Sequence, residues 1–255
     1  MIAFEDFASL TDVAWRSHFE VEQGIYIAEG TKTIERAICA GHALRTVISE
    51  PRWTQSLIAA GVPAERISEQ SETAMESITG YHVHRGALAA FDRPAPVPLA
   101  ATLDGSRRVV VIEDVVDHAN IGAIMRSAAA FEIDAVILTP RCADPLYRRA
   151  IKVSMGAVFA VPWTRASWDD ITAALEARQY VSFALTPAWH ALDIREISQE
   201  LRERPLALVL GTEGDGLTEH AMRTCTHRVR IPMAHGVDSL NVAAAAAVAC
   251  FELTR

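Results

Sequence analysis

From Arg108 onward the chain alternates between short apolar runs and amphipathic stretches. RVVVIEDV, AVILTP, FAVPW, YVSFALTP, LALVLGTEG and RVRIPM are apolar almost throughout and predict strands. Helices are predicted at NIGAIMRSAAAF, DPLYRRAIKVS, SWDDITAALEARQ, a segment near Ile194 to Arg204, a short stretch after LALVLGTEG and a final alanine-rich segment. Strands that lack polar alternation and are separated by helices predict an α/β domain whose parallel sheet is covered on both faces. Ligands of such sheets bind beyond the carboxyl ends of the strands, so the residues just after each strand bear on function.

Upstream the pattern is mixed. YIAEGTKTIERAICAGHALRTVISEP predicts a strand to about Ala28, a helix from Thr31 or Thr33 to Ala40 stopped by Gly41, and a second strand at Arg45 to Ser49. WTQSLIAAGV predicts a helix and GALAAFD a strand, with the acidic stretch SEQSETAMESITG between them. FDRPAPVPLAATLDGSRR concentrates prolines and reads as a linker. The expected organisation is a smaller α/β domain over residues 1–95, a linker at 96–106 and a second domain at 107–255.

Composition narrows the class. With 255 residues, 50% hydrophobic and 22% charged, the chain suits a soluble globular protein of one large or two modest domains. Its first residues, MIAFEDFASL, begin acidic and do not read as a signal peptide. The longest apolar run, Val242 to Leu253, is too short and alanine-rich to span a bilayer, so no membrane partner is expected. Cys39, Cys142, Cys225 and Cys250 form no CxxC pair and read as reduced, cytoplasmic residues, with no disulfide frame and no metal site. A formal charge of -8 repels phosphate, so a nucleic-acid partner would need a local basic patch.

Three strand ends are chemically loaded. In EDVVDHANIGAIMRSAAAF a helix from Ile121 would place Ile121, Ile124, Met125, Ala128 and Ala129 on one apolar stripe, with Gly122 and Arg126 sharing a face outside it. Asn120 reads by itself as a helix cap, and Arg126 by itself as a surface arginine above a glycine. In GTEGDGLTEH three glycines surround Glu213 and let backbone approach a ligand closely. The third, IPMAHGVDSLNVAAAAAVACFE, carries Ser239 and Asn241 at the mouth of an alanine helix, although Asp238 already offers a capping oxygen. Ile231 to Met233 just before it could present backbone groups to a flat ring. The dinucleotide fingerprint GxGxxG and the P-loop lysine are both missing, which disfavours a nucleotide-dependent oxidoreductase.

Taken in order, NxGxxxR, GxExxG and IPM followed by SLNV resemble the three motifs of the SpoU (TrmH) RNA 2′-O-ribose methyltransferases of the SPOUT superfamily. The resemblance covers Val109 to about Leu253, and SMGAVFAVPW is similar to the family's SxGA segment. The first domain resembles an L30e-like substrate-binding domain at AEGTKTIERAICAG and HRGALAA. The resemblance implies a parallel-sheet domain with a deep trefoil knot, an exception to the rule that chains stay unknotted. It also implies S-adenosylmethionine held by Gly211, Ile231, Met233 and Leu240, largely through backbone groups. Arg126 takes the central catalytic role, with Asn120, Glu213, Ser239 and Asn241 around it. A guanidinium does not readily surrender its proton, so Arg126 is expected to hold phosphate and stabilise the developing alkoxide rather than act as a base.

Family members are typically homodimers acting on RNA, and those with an L30e-like domain more often modify ribosomal RNA. That favours ribosomal RNA over tRNA here. A non-catalytic RNA-binding protein of the same fold is the alternative from a different class, and a related set of antibiotic-resistance enzymes shares the architecture. Candidate RNA contacts are Arg148, Arg149 and Lys152, clustered with Arg141 after AVILTP, and Arg16, Lys32, Arg36, Arg45 and Arg52 in the first domain. His82 and His84 alternate on a strand-like segment and are weaker candidates. The alanine helix serves either a dimer interface or internal packing.

Overall fold

A computed structural model of the chain describes residues 4–83, 86–234 and 236–254, and for Val13, Ala14 and Ser17 only the backbone. The fold divides into two compact units, one formed by residues 1–95 with 146–160 and the other by 96–145 with 161–255.

The first unit is a four-stranded sheet with helices. In chain order it holds α1 (Val13–Glu22), β1 (Ile25–Glu29), α2 (Thr31–Cys39), β2 (Leu44–Ser49), α3 (Thr54–Ala59), β3 (Ile67–Glu69), α4 (Glu72–Thr79) and β4 (Ala87–Asp92). The strand order is β1-β4-β2-β3, with β4 antiparallel to both neighbours and β2 parallel to β3. Phe7, Leu10, Ile27, Ile48, Met75 and Leu88 fill one core against this sheet. α2 ends as expected: Gly41 takes φ +81°, and His42 N–H reaches back to the Ala37 carbonyl at 3.1 Å. The acidic stretch left unassigned in the sequence forms β3 and α4, because Ser71 caps α4 by accepting from Ala74 N–H.

The second unit contains α5 (Leu99–Thr102), β5 (Arg108–Ile112), α6 (His118–Ala130) and β6 (Ala135–Leu138). The chain then contributes α7 (Arg148–Ser154) to the first unit. It returns with β7 (Trp163–Arg165), α8 (Trp168–Ala177), β8 (Val181–Leu185), β9 (Leu192–Asp193), α9 (Gln199–Arg202), β10 (Leu206–Leu210), α10 (Glu219–Thr224), β11 (His227–Arg230) and α11 (Val242–Leu253). The sheet order is β7-β6-β5-β10-β8-β11-β9, and every pairing is parallel. β6 and β10 are buried at every position, which is why they read as unbroken apolar runs.

On one face Val109, Val111, Ile137, Ala207 and Val209 pack against Ile171 and Leu175 of α8 and against Leu103, next to α5. On the other face α11 packs against α6 and β10. Each fully buried aliphatic side chain of this kind contributes about 1.5–3 kcal/mol. Among the described residues, no helix is long and apolar enough to cross a membrane.

Four local expectations are corrected. FAVPW is not a strand. Ala157–Phe159 form a 3-10 turn after Gly156, at φ +80°, and pairing starts at Trp163. The helix expected near Ile194 to Arg204 is broken into a 3-10 turn, Ile194–Glu196, and the four-residue α9, because Asp193 and Ser198 each cap their own short turn. β11 ends at Arg230, so Ile231 to Met233 lie beyond it in irregular chain. The proline-rich stretch expected as a linker includes α5, and Leu103 behind it is buried in the second core.

Candidate functional site

Three loops leave the carboxyl ends of β5, β10 and β11 in the second unit. The first runs from β5 into α6. Its helix is capped by Asp117, whose Oδ1 accepts from Ala119 N–H at 2.5 Å and Asn120 N–H at 3.4 Å. Asn120 is therefore not the cap that the sequence suggested. It lies in the first turn of α6 with its side chain free to reach across.

That side chain donates to Glu213 in the loop after β10, Nδ2 to Oε1 at 2.8 Å. The third loop supplies Asn241, whose Nδ2 donates to Asn120 Oδ1 at 3.1 Å and also to Glu213 Oε1. The same asparagine caps α11, its Oδ1 accepting from Ala243 and Ala244 N–H. Asp238 does not cap that helix. Asn120, Glu213 and Asn241 thus form one clasp over three loops separated by 93 and 28 positions in the chain. A carboxylate accepting two amide donors is well matched, since hydrogen bonds to an ionised acceptor are the stronger kind.

Beside the clasp lies a cavity of about 500 Å³, walled by the ends of β8 and β10 and by the chain after β11. Leu210, Leu217, Ile231, Met233 and Leu240 line it with apolar surface, while Thr186, Glu213, Ser239 and Asn241 supply polar groups. Gly211 is one wall. A Cβ there would stand 2.3 Å from the Gly216 carbonyl carbon and 2.4 Å from the Leu217 nitrogen, both backbone, so only glycine fits. The loop is closed on itself by Thr212, whose N–H and hydroxyl both donate to the Gly216 carbonyl at 3.0 and 3.1 Å.

Two residues that the sequence reading passed over hold this loop. Glu113, 5% exposed at the end of β5, accepts from Thr218 N–H at 2.9 Å and from the Thr218 hydroxyl at 2.7 Å. Thr218 in turn caps α10. The available signal was a carboxylate following an apolar strand, a position where burial demands a partner.

Of the predicted cofactor residues, Gly211, Ile231, Met233 and Leu240 all wall the cavity. Of the predicted catalytic residues, Glu213, Ser239 and Asn241 wall it and Asn120 joins through the clasp. Arg126 is not one of its walls. It is exposed on α6 and makes no hydrogen bond or ion pair among the described residues. Gly122, expected with Arg126 on a face outside the apolar stripe, is buried.

In the Gly211–Thr218 and Ile231–Val242 segments, the paired motif residues meet at a single site. Residues 107–251 match the model of the SpoU rRNA methylase family. The chain belongs to that family. It is similar to an uncharacterized tRNA/rRNA methyltransferase of Mycobacterium tuberculosis, 38% identical over 98% of this chain and 88% of the relative. The AdoMet-bound rRNA methyltransferase of Sinorhizobium meliloti is similar in structure, with a TM-score of 0.78 and 26% identity over 96% of this chain and 95% of that one. So is an RNA 2′-O ribose methyltransferase, with a TM-score of 0.78 and 25% identity over 98% and 94% of the two chains.

The SpoU assignment leaves the RNA contacts to be located, and the first unit redistributes the basic candidates. Arg16 is 1% exposed and paired with Glu20 at 2.7 Å, so it is spent inside the fold and is not a surface contact. Arg148 and Lys152 converge on the buried Glu29, each at 3.2 Å, and Arg148 also lies 4.7 Å from the centre of the Tyr81 ring. These charges are largely compensated within the unit, which lowers their value for phosphate. Arg36 donates to the Met155 carbonyl, Arg45 pairs with Asp92, and Arg52 pairs with Glu50. Lys32 and Arg149 stay exposed, with no hydrogen bond or ion pair among the described residues. Arg141 lies 3.5 Å from Asp114 and is largely exposed. His82 pairs with Glu72 at 3.1 Å, and His84 lies outside the described residues.

No group of His, Cys, Asp and Glu among the described residues could hold a metal ion. The cysteines are unpaired, and burial pushes the Cys225 thiol up to about 11, away from reactivity.

Proposed function

We propose that this S-adenosylmethionine-dependent RNA methyltransferase modifies a ribose 2′-hydroxyl, in ribosomal RNA. The observation that carries the reading is the Asn120–Glu213–Asn241 clasp at a cofactor-sized cavity, with Arg126 on the same helix as Asn120 and without a side-chain partner among the described residues.

The cavity suits the cofactor. Its volume falls within the usual range for sites that take a molecule of this size, and its apolar walls with a few polar groups match the usual composition of such sites. Gly211, Ile231, Met233 and Leu240 would hold it, with Gly211 leaving the backbone open to close approach. When bound, S-adenosylmethionine supplies a methyl group made electrophilic by its sulfonium.

The chain's own residues must do the rest. The clasp fixes three loops so that the reacting groups meet in one geometry, which is where much of the rate of a two-substrate reaction arises. Arg126, its donors uncommitted among the described residues, holds a phosphate next to the target ribose in a two-pronged grip and stabilises charge developing on the 2′-oxygen. Ser239 places an exposed hydroxyl on the cavity wall, within the same loop as Asn241.

Ribosomal RNA is favoured by the family description and by the presence of a separate first unit, which we assign as the L30e-like substrate-binding domain. The knot of the SPOUT fold and a homodimer belong to the same reading. α11 turns Val242, Ala246 and Leu253 inward and leaves Val248 and Phe251 exposed, an outward apolar face that a second copy would cover.

Mass-spectrometric mapping of 2′-O-methylated nucleotides in ribosomal and transfer RNA, from cells with and without the gene, tests the substrate. One methyl is expected to vanish from ribosomal RNA. Loss from tRNA instead would retain the chemistry and refute the assignment of the first unit. No loss in either pool would count for the non-catalytic reading.

A further inference from the structure

Trp189 is the most exposed large hydrophobic side chain among the described residues, at 86%. Single exposed aliphatics are ordinary, but an indole left in water forgoes an unusually large burial. The backbone on either side of it is tied. Thr186 N–H donates to the Val229 carbonyl at 2.9 Å and Ala188 N–H to the Thr186 hydroxyl at 3.3 Å. Ala191 N–H donates to the Ala188 carbonyl at 3.0 Å, and Arg230 Nε to the Ala191 carbonyl at 3.2 Å. The ring is therefore presented on a braced turn and not on a loose tail.

The turn leaves the carboxyl end of β8, and Leu185, Thr186 and Pro187, just before Trp189, wall the cavity. The segment Thr186 to Ala191 holds no acidic residue, although the chain as a whole carries a formal charge of -8. No second large hydrophobic of this turn is exposed, so it lacks the broad apolar patch of a protein interface. A flat aromatic on a braced turn beside a reaction site, with the His190 ring edge-on to it at 5.7 Å, suits one ligand chemistry well: the face of an unstacked base.

We infer that Trp189 is a stacking platform for an unpaired nucleobase of the RNA substrate, positioning the strand whose ribose enters the site. The inference rests on the RNA methyltransferase reading. It makes Trp189 a substrate-positioning residue with no part in bond making.

The test compares the wild type with Trp189→Ala and Trp189→Phe on deproteinised ribosomal RNA from cells lacking the gene. RNA affinity, turnover and S-adenosylmethionine affinity are each measured separately. Loss of one stacked base predicts that Trp189→Ala weakens RNA affinity between about 5- and 150-fold. Turnover at saturating RNA and cofactor affinity should stay within about twofold, and Trp189→Phe should restore most of the loss, because the phenyl ring keeps a π-face. Unchanged RNA affinity in Trp189→Ala would overturn the inference. So would a parallel loss of cofactor affinity, which would place the ring over the cofactor, or a Phe variant as weak as the Ala variant. A shift in oligomeric state with RNA affinity intact would assign the ring to a protein contact and overturn it as well. Because affinity is read apart from transfer, a wild type that binds RNA but transfers no methyl would refute the function and leave the comparison of affinities decisive.

Discussion

Replacing Arg126 with alanine lowers turnover by roughly 10²–10³-fold and leaves S-adenosylmethionine affinity within about twofold of wild type. That is the size expected when one preorganised donor to a developing negative charge is removed. Cofactor affinity should survive because Arg126 is not a wall of the cavity and has no partner to strand among the described residues. Stability should survive for the same reason, since the side chain is exposed on α6. The informative comparison is Arg126→Lys, which keeps the charge and loses the planar fork. If the guanidinium grips phosphate and alkoxide together, lysine recovers only a small part of the rate. Near-native turnover in Arg126→Lys, measured at saturating RNA and cofactor, would contradict the assigned role.

Gly211→Ala should act by the opposite route, through the cavity wall. The added Cβ meets the backbone of Gly216 and Leu217 at 2.3 to 2.5 Å, and no side chain can rotate away to relieve it. Overpacking of this kind costs about 1–3 kcal/mol where neighbours can adjust, and here the neighbour is the closing strut of the loop. The loop that carries Glu213 must shift, pulling the clasp apart. Cofactor affinity should fall by about 10- to 100-fold or more, read by calorimetry. Thermal denaturation should register a drop of about 2–4 °C for each kcal/mol lost in a chain of this size. Wild-type cofactor affinity in this variant would mean that the loop does not border the cofactor.

The centre of the second unit's sheet was legible because β5, β6, β8 and β10 are buried almost throughout and so contain little but apolar residues. α2 was legible from Thr31 to its glycine stop for a related reason, since the capping chemistry is local. Legibility failed where local signals compete. Near Ile194 to Arg204 two capping side chains, Asp193 and Ser198, divide what looked like one helix. In FAVPW, Phe159 to Pro162 lie outside the sheet and only Trp163 pairs, and a window of five cannot distinguish the two cases.

At the site, the residue types at the strand ends were visible, but their partnerships were not. Asn120 read as a cap because an asparagine near a helix start usually is one, while Asp117, three residues earlier, takes that role. Nothing in the chain reveals that residues 120, 213 and 241 touch, because only the sheet order brings their loops together. Lys32 and Arg149 stay exposed, while three other basic candidates are engaged inside the first unit. Arg16, Arg148 and Lys152 sit at ordinary helix positions, and the carboxylates that neutralise them, Glu20 and Glu29, become visible only once buried.

The central proposal is that this protein transfers a methyl group to a ribose oxygen of ribosomal RNA. The most direct measurement incubates the purified protein with S-adenosylmethionine carrying a deuterated methyl and with ribosomal RNA from cells lacking the gene, followed by mass spectrometry of the nuclease-digested nucleosides. The expected result is one nucleoside carrying the label on its 2′-oxygen, formed roughly 10²–10³-fold more slowly when Arg126→Ala replaces the wild type. Label on a base, or no label under conditions where the cofactor binds, would contradict it.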